Sequence, residues 1–176
     1  MNSRGALAVL TTVGMNLLAA RLQAQGYQPS YANPHGTELV AVYISFTHCV
    51  GNTASGLHEA LDSLKVILAA RARAAGREFR MVGVALDWEP DSGLAYLRGF
   101  GAFDELDVGR NWYNLGAERW IWSDSSATTN VPQVVVYEQT ITPAGRHVTF
   151  STPHVVKRVF GGTKIVEWVR AGAATP

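Results

Sequence analysis

Leu39-Val-Ala-Val-Tyr-Ile-Ser-Phe-Thr-His-Cys-Val-Gly-Asn52 is the stretch that decides how this chain folds. Leu39 to Phe46 is a nearly continuous apolar run with β-branched and aromatic members. A strand of that composition has both faces buried, as at the centre of a sheet covered by helices. The stretch leads to Cys49, the one cysteine in 176 residues. A helical pattern follows from Thr53 to Ala75, with Leu57, Leu61, Leu64, Ile67 and Leu68 forming one apolar stripe. Thr53 or Ser55 is expected to cap it, and Gly76 to end it. A lone thiol between a central strand and a helix start points to redox or nucleophile chemistry. Three residues on, where a second cysteine would complete a dithiol, stands Asn52.

Downstream, Phe79 to Trp88 reads as a second strand leading into Asp87-Trp88-Glu89-Pro90. Asp91 or Ser92 is expected to cap a short helix carrying Leu94, Leu97 and Phe100, stopped by Gly99 and Gly101. Leu106 and Val108 suggest a short strand, and Leu115 to Trp122 one or two helical turns. Val131-Pro132 opens a third clear strand that runs to Tyr137, with the proline at the entry, where a missing N–H is tolerated. Ile141 to Phe150, broken by Pro143-Ala144-Gly145, reads as a hairpin, and Val155 to Phe160 as an edge strand. Gly161-Gly162 makes a turn, and Thr163 is expected to cap a last helix with Ile165, Val166, Trp168 and Val169. Residues 173–176 read as a frayed tail. The expected fold is α/β: a mixed central sheet of four to five strands flanked by helices.

Upstream, residues 5–20 are sixteen uncharged positions between Arg4 and Arg21. A bilayer-spanning helix needs about 20 apolar residues, so this stretch fits a signal-peptide core or a short anchor. A small-x-small site lies at Ala24-Gln25-Gly26. Residues 1–26 are therefore assigned to a signal peptide or membrane anchor helix, 27–38 to a polar linker, and 39–172 to the folded domain. Apolar residues make up 47% of the chain and charged residues 16%, as in a globular protein. A net charge of +1 gives no electrostatic case for nucleic acid. The basic group Arg71, Arg73, Arg77 and Arg80 reads as a solvated helix end. A single cysteine excludes an internal disulfide and a multi-thiolate zinc site.

In this order the residues resemble the thioredoxin-like superfamily, in its redoxin branch, which includes membrane-anchored thiol-disulfide reductases and copper-chaperone relatives. Leu39 to Cys49 resembles the central strand leading to the active-site cysteine. Val131-Pro132 resembles the cis-proline segment facing that cysteine, and Phe160-Gly161-Gly162 the closing turn. Asp87-Trp88-Glu89-Pro90 is similar to the loop after the second strand. The resemblance implies a cis Val131–Pro132 bond and backbone groups of Val131 placed beside Cys49 to receive an extended peptide. It also implies a departure. Dithiol exchange needs one thiol to attack and another to resolve, and Cys49-Val50-Gly51-Asn52 supplies only the first. Copper relay lacks its paired cysteines, and peroxidase chemistry lacks an arginine set about the thiol.

Cys49 is left as a monothiol or a relic, and His48 beside it reads as a surface or packing residue or as its modulator. A helix N-terminus and an imidazolium would lower its pKa. His48, Cys49 and Asp87 or His154 are metal-ligand types without metal-ligand spacing, so no metal or other cofactor is expected. Trp120 and Trp122 are two apart and cannot both face a core. With Trp112 and Tyr113 they are candidates for an exposed partner-binding patch, whereas Trp88 and Trp168 are expected in the core. Two functions follow. One is a non-dithiol module tethered through residues 5–20 on the exterior (periplasmic) side of a bacterial membrane, docked on a membrane complex or other envelope protein. The other is a monothiol redox enzyme or sensor using Cys49.

Overall fold

Strand β1 (Gly36–Ser45) lies in the middle of the sheet, as its apolar run requires. It pairs in parallel with β2 (Glu78–Ala85) and antiparallel with β4 (Gln133–Ala144). The computed structural model describes residues 35–101, 103–123, 129–144 and 147–175. The anchor assignment (1–26) and residues 27–34 of the linker assigned to 27–38 fall outside them; Gly36, Thr37 and Glu38 of that linker belong instead to β1, where they pair with β4. Among the described residues, no helix is long and apolar enough to cross a membrane.

Side chains alternate across β1. Leu39, Ala41 and Tyr43 face one layer, and Val40, Val42 and Ile44 the other, all buried. The first layer is α1 (Leu57–Ala74) with α4 (Gly162–Arg170). Leu57, Leu61, Leu64 and Leu68 are each at most 1% exposed there, against Ile165, Val166 and Val169. Each such burial is worth about 1.5–3 kcal/mol, which is what holds the long helix to the sheet. On the other face Val82, Val84, Val135 and Tyr137 meet Ala117, Trp120 and Ile121. These come from α3 (Leu115–Ala117) and the wider π-type turn Glu118–Trp122 that continues it.

The remaining elements are α2 (Pro90–Gly99), β3 (Glu105–Asp107), β5 (His147–Phe150) and β6 (His154–Phe160). The path runs β3-β2-β1-β4-β5, and β6 also pairs with β4, antiparallel. The sheet thus has six strands, because β3 and the hairpin strand β5 both join it. The third strand is longer than Val131 to Tyr137: it runs through Pro143 into the hairpin and pairs β5 at its far end. The architecture is α/β, a mixed central sheet flanked by helices, as expected.

Three expected caps are corrected. Helix α1 starts after a separate 3-10 turn (Val50–Thr53), and its N-cap is Gly56 at φ 82°. Thr53 and Ser55 do not cap it; the Thr53 hydroxyl donates to Val50 O at 2.8 Å. Glu89 precedes α2, with Pro90 at the first turn, so Asp91 and Ser92 sit inside the helix. Gly161 at φ 86°, not Thr163, precedes α4. At Gly56 and Gly161 the chain reverses through left-handed backbone, which only glycine enters without strain. Ala173 and Ala174 of the tail are packed rather than frayed. Arg71 donates to Ala173 O at 2.7 Å and Gly172 O at 3.0 Å, Trp168 Nε1 donates to Ala174 O at 3.0 Å, and Ala173 is fully buried.

Candidate functional site

The carboxyl end of β1 delivers Cys49 to a tight turn. Cys49 N–H donates to Phe46 O at 3.1 Å, and Asn52 N–H donates to Cys49 O at 3.0 Å. The thiol is half-buried and donates to Val131 O at 3.3 Å. The Val131–Pro132 bond is cis. Glycines let the three segments close on one another. A Cβ on Gly51 would lie 2.3 Å from Pro132 Cδ, and one on Gly162 would lie 2.1 Å from Gly51 O. Gly161 N–H donates to Pro132 O at 2.7 Å, completing the clamp. Cys49, Val131 and Pro132 are therefore brought together. His48 and Val50 are exposed beside them. One expectation fails: Cys49 precedes a four-residue 3-10 turn, and the long helix begins only at Leu57.

Behind the thiol, Asn52 is engaged through both its amide oxygen and its amide nitrogen. Its Oδ1 accepts from Ser45 Oγ at 2.7 Å and from Tyr43 OH at 3.2 Å, and its Nδ2 donates to Phe46 O at 2.7 Å. Tyr43 OH shares a further bond of 2.9 Å with Tyr96 OH. Burial pushes both phenols up, Tyr96 to about 12, so both stay neutral. The position that would carry a resolving thiol instead holds an amide that satisfies buried hydroxyls. Sequence reasoning missed Tyr43, Ser45 and Tyr96. The available signal was two hydroxyl residues, Tyr43 and Ser45, on one face of an otherwise apolar strand. Buried hydroxyls need a partner, and Asn52 is the nearest amide in the chain.

Asp87 joins this turn to the aromatic loop. It is 7% exposed, its carboxylate accepts the Thr47 N–H at 3.2 Å, and its backbone carbonyl accepts the Trp112 N–H at 3.0 Å. Trp88 O accepts the Asn111 N–H at 2.9 Å. These bonds present a ledge of half-exposed rings. Trp88, Trp112, Tyr113 and Trp122 are 52–53% exposed, and Leu115 is 75% exposed. Trp88 and Trp112 meet edge to face at 4.8 Å, and Trp122 Nε1 donates to Trp112 O at 3.4 Å. Trp120 is not part of the ledge: it is buried against Tyr137 at 4.9 Å. Trp88 is, contrary to its expected core placement. It lies past the end of β2, in the connection before α2. Trp168 packs partly against the core, as expected. Among the described residues no group of three or more His, Cys, Asp or Glu is placed to hold a metal.

No protein-family model matches this chain, and no curated protein matches it. Similar solved structures include yeast Sco1 with copper bound, at 16% identity, 84% of this chain and 94% of that one, TM-score 0.38. Another is a thioredoxin-family thiol:disulfide interchange protein from Chlorobium tepidum, at 12% identity, 84% and 100% coverage, TM-score 0.36. A third is BsSco, of the Sco family of cytochrome c oxidase assembly proteins, at 15% identity, 77% and 80% coverage, TM-score 0.36. These identities and TM-scores are low. The chain has a single cysteine, Cys49, and it is free.

Proposed function

We propose that this module works by docking rather than by dithiol exchange. It is an accessory subunit, tethered through residues 5–20 on the periplasmic side of a membrane, that binds a larger membrane assembly through Trp112, Tyr113 and Trp122. The observation that carries the reading is the Asn52 network: the resolving position is committed to holding the turn, while the exposed rings lie on a neighbouring loop. The uncharged stretch between Arg4 and Arg21 supports the tether. To test it, a photo-crosslinking residue is placed at Tyr113 of the full chain, with Ser63 on α1 as control. The expected result is a discrete membrane-protein adduct at Tyr113 and none at Ser63, with the chain in the membrane fraction until detergent is added. A chain free in the soluble fraction, or matching adducts at both positions, overturns it.

A second reading is favoured by the half-buried thiol beside Val131 O. Here Cys49 thiolate attacks a partner disulfide. One sulfur joins Cys49 in a mixed disulfide, the other leaves as thiolate, and an external thiol must release the adduct. Fast alkylation of Cys49 by iodoacetamide below neutral pH, with turnover abolished by Cys49→Ser, supports this reading. An ordinary slow thiol rejects it.

A further inference from the structure

The aromatic ledge carries a charge and a strain that indicate what it binds. Between Asp87 and Glu118 the sequence holds seven acids and two bases, in a chain whose net charge is +1. Asp104 and Glu105 are paired with Lys65 and Arg80 from other elements. Next to the ledge residues in sequence stand Glu89, Asp91 and Glu118; Glu89 pairs with Arg110, and Glu118 accepts from Tyr113 OH at 2.7 Å. Arg110 is held only loosely: its guanidinium reaches Glu89 at 3.4 Å, and its side chain is 69% exposed. Consecutive residues Asn111 and Trp112 sit at φ 57° and 62°. A tryptophan in left-handed backbone is a strained arrangement, kept only where its surroundings enforce it, and such strain gathers at binding sites. Here the bonds to Asp87 O and Trp88 O enforce it and hold the Trp112 indole out to solvent. The molecule already shows how an arginine uses such rings: Arg119 lies over Trp120 at 5.2 Å and over Tyr137 at 5.5 Å.

From these observations we infer that the ledge receives an exposed basic segment of a partner protein. Its Arg or Lys side chains stack on the faces of Trp88 and Trp112 and pair with Glu89 and Asp91. The inference rests on the docking reading above and supplies the partner's chemistry. Carboxylates among the rings argue against a bilayer as the occupant, because an anionic membrane surface repels them. A purely apolar peptide would gain nothing from them.

The test titrates the full chain in mild detergent with a short Gly/Ser peptide bearing spaced arginines, and with the same peptide carrying neutral citrulline. Tryptophan fluorescence is the readout. Saturable binding of the arginine peptide alone is expected, weakening as added salt shortens the Debye length from about 10 Å to about 3 Å. Trp88→Ala and Trp112→Ala should each weaken binding about two- to fivefold, as should the paired Glu89→Gln and Asp91→Asn changes. Arg110→Ala should tighten it, because the resident cation no longer competes for Glu89. Equal affinity for the citrulline peptide, indifference to both tryptophan changes, or weaker binding by Arg110→Ala overturns the inference. So does quenching of the ledge indoles by brominated lipid in phosphatidylcholine vesicles, which assigns the ledge to a bilayer. If the Tyr113 crosslink captures a partner while the arginine peptide fails, docking stands and the basic chemistry falls. If both fail, both readings fall.

Discussion

Replacing Asn52 with alanine removes three hydrogen bonds at once: those from Ser45 Oγ and Tyr43 OH to its Oδ1, and that from its Nδ2 to Phe46 O. Ser45 and Tyr43 are fully buried, so water does not replace the lost acceptor. Tyr43 keeps Tyr96 as a partner, and Phe46 O keeps the Cys49 N–H, which limits the damage. At about 0.5–1.5 kcal/mol for each bond lost, the variant should be about 2–4 kcal/mol less stable. That is a large share of the roughly 5–15 kcal/mol that separates folded from unfolded domains. The assay is urea denaturation of Asn52→Ala, Ser45→Ala and the double variant, with Cys49 alkylation followed in parallel. In the Ser45→Ala background one buried hydroxyl is already gone, so Asn52→Ala should cost about 0.5–1.5 kcal/mol less than it does alone. Alkylation of Cys49 should quicken as the turn loosens. A single-variant cost below about 0.5 kcal/mol, or full additivity in the cycle, would refute the claim that this network fixes the thiol turn.

Other consequences are equally direct. Tyr43 and Tyr96 have folded pKa values raised above the ordinary phenol value, chiefly by burial. The stability they confer is intact below about pH 10 and is lost as pH climbs toward the Tyr96 value of about 12. Urea midpoints measured from pH 8 upward should fall above about pH 10, and Tyr43→Phe should flatten that fall; an unchanged slope would contradict the burial assigned here. At Trp112, φ 62° favours glycine, so Trp112→Gly should be more stable than Trp112→Ala by about 1 kcal/mol in thermal unfolding; the reverse order would deny the strain. Gly51→Ala places a methyl against the rigid Pro132 ring, and calorimetry should show about 1–3 kcal/mol lost; a neutral result would mean the clamp is looser than its geometry.

The sequence by itself determined the architecture. An unbroken apolar run such as Leu39 to Phe46 has one stable home, a strand covered on both faces, and that placed β1 at the sheet centre. The leucine stripe of α1 and the proline opening the segment before β4 are likewise local signals, set by periodicity and by a missing N–H. The same is true of the missing dithiol, since no fold can turn Asn52 into a thiol. Helix starts were less legible, because Gly56 and Gly161 carry the turn in backbone dihedrals that side-chain patterns do not encode. What only the tertiary structure decided were contacts between residues distant in sequence. Tyr96 joins Asn52 across 44 positions through Tyr43, Asp87 ties Thr47 to Trp112, and the tail is pinned by Arg71. The sorting of the tryptophans was decided the same way. Trp120 and Trp122 are chemically identical and two residues apart, and only the direction of the turn after α3 buries the first and exposes the second. Burial and hydrogen bonding act through space, and neither is fixed until the sheet has brought its loops together.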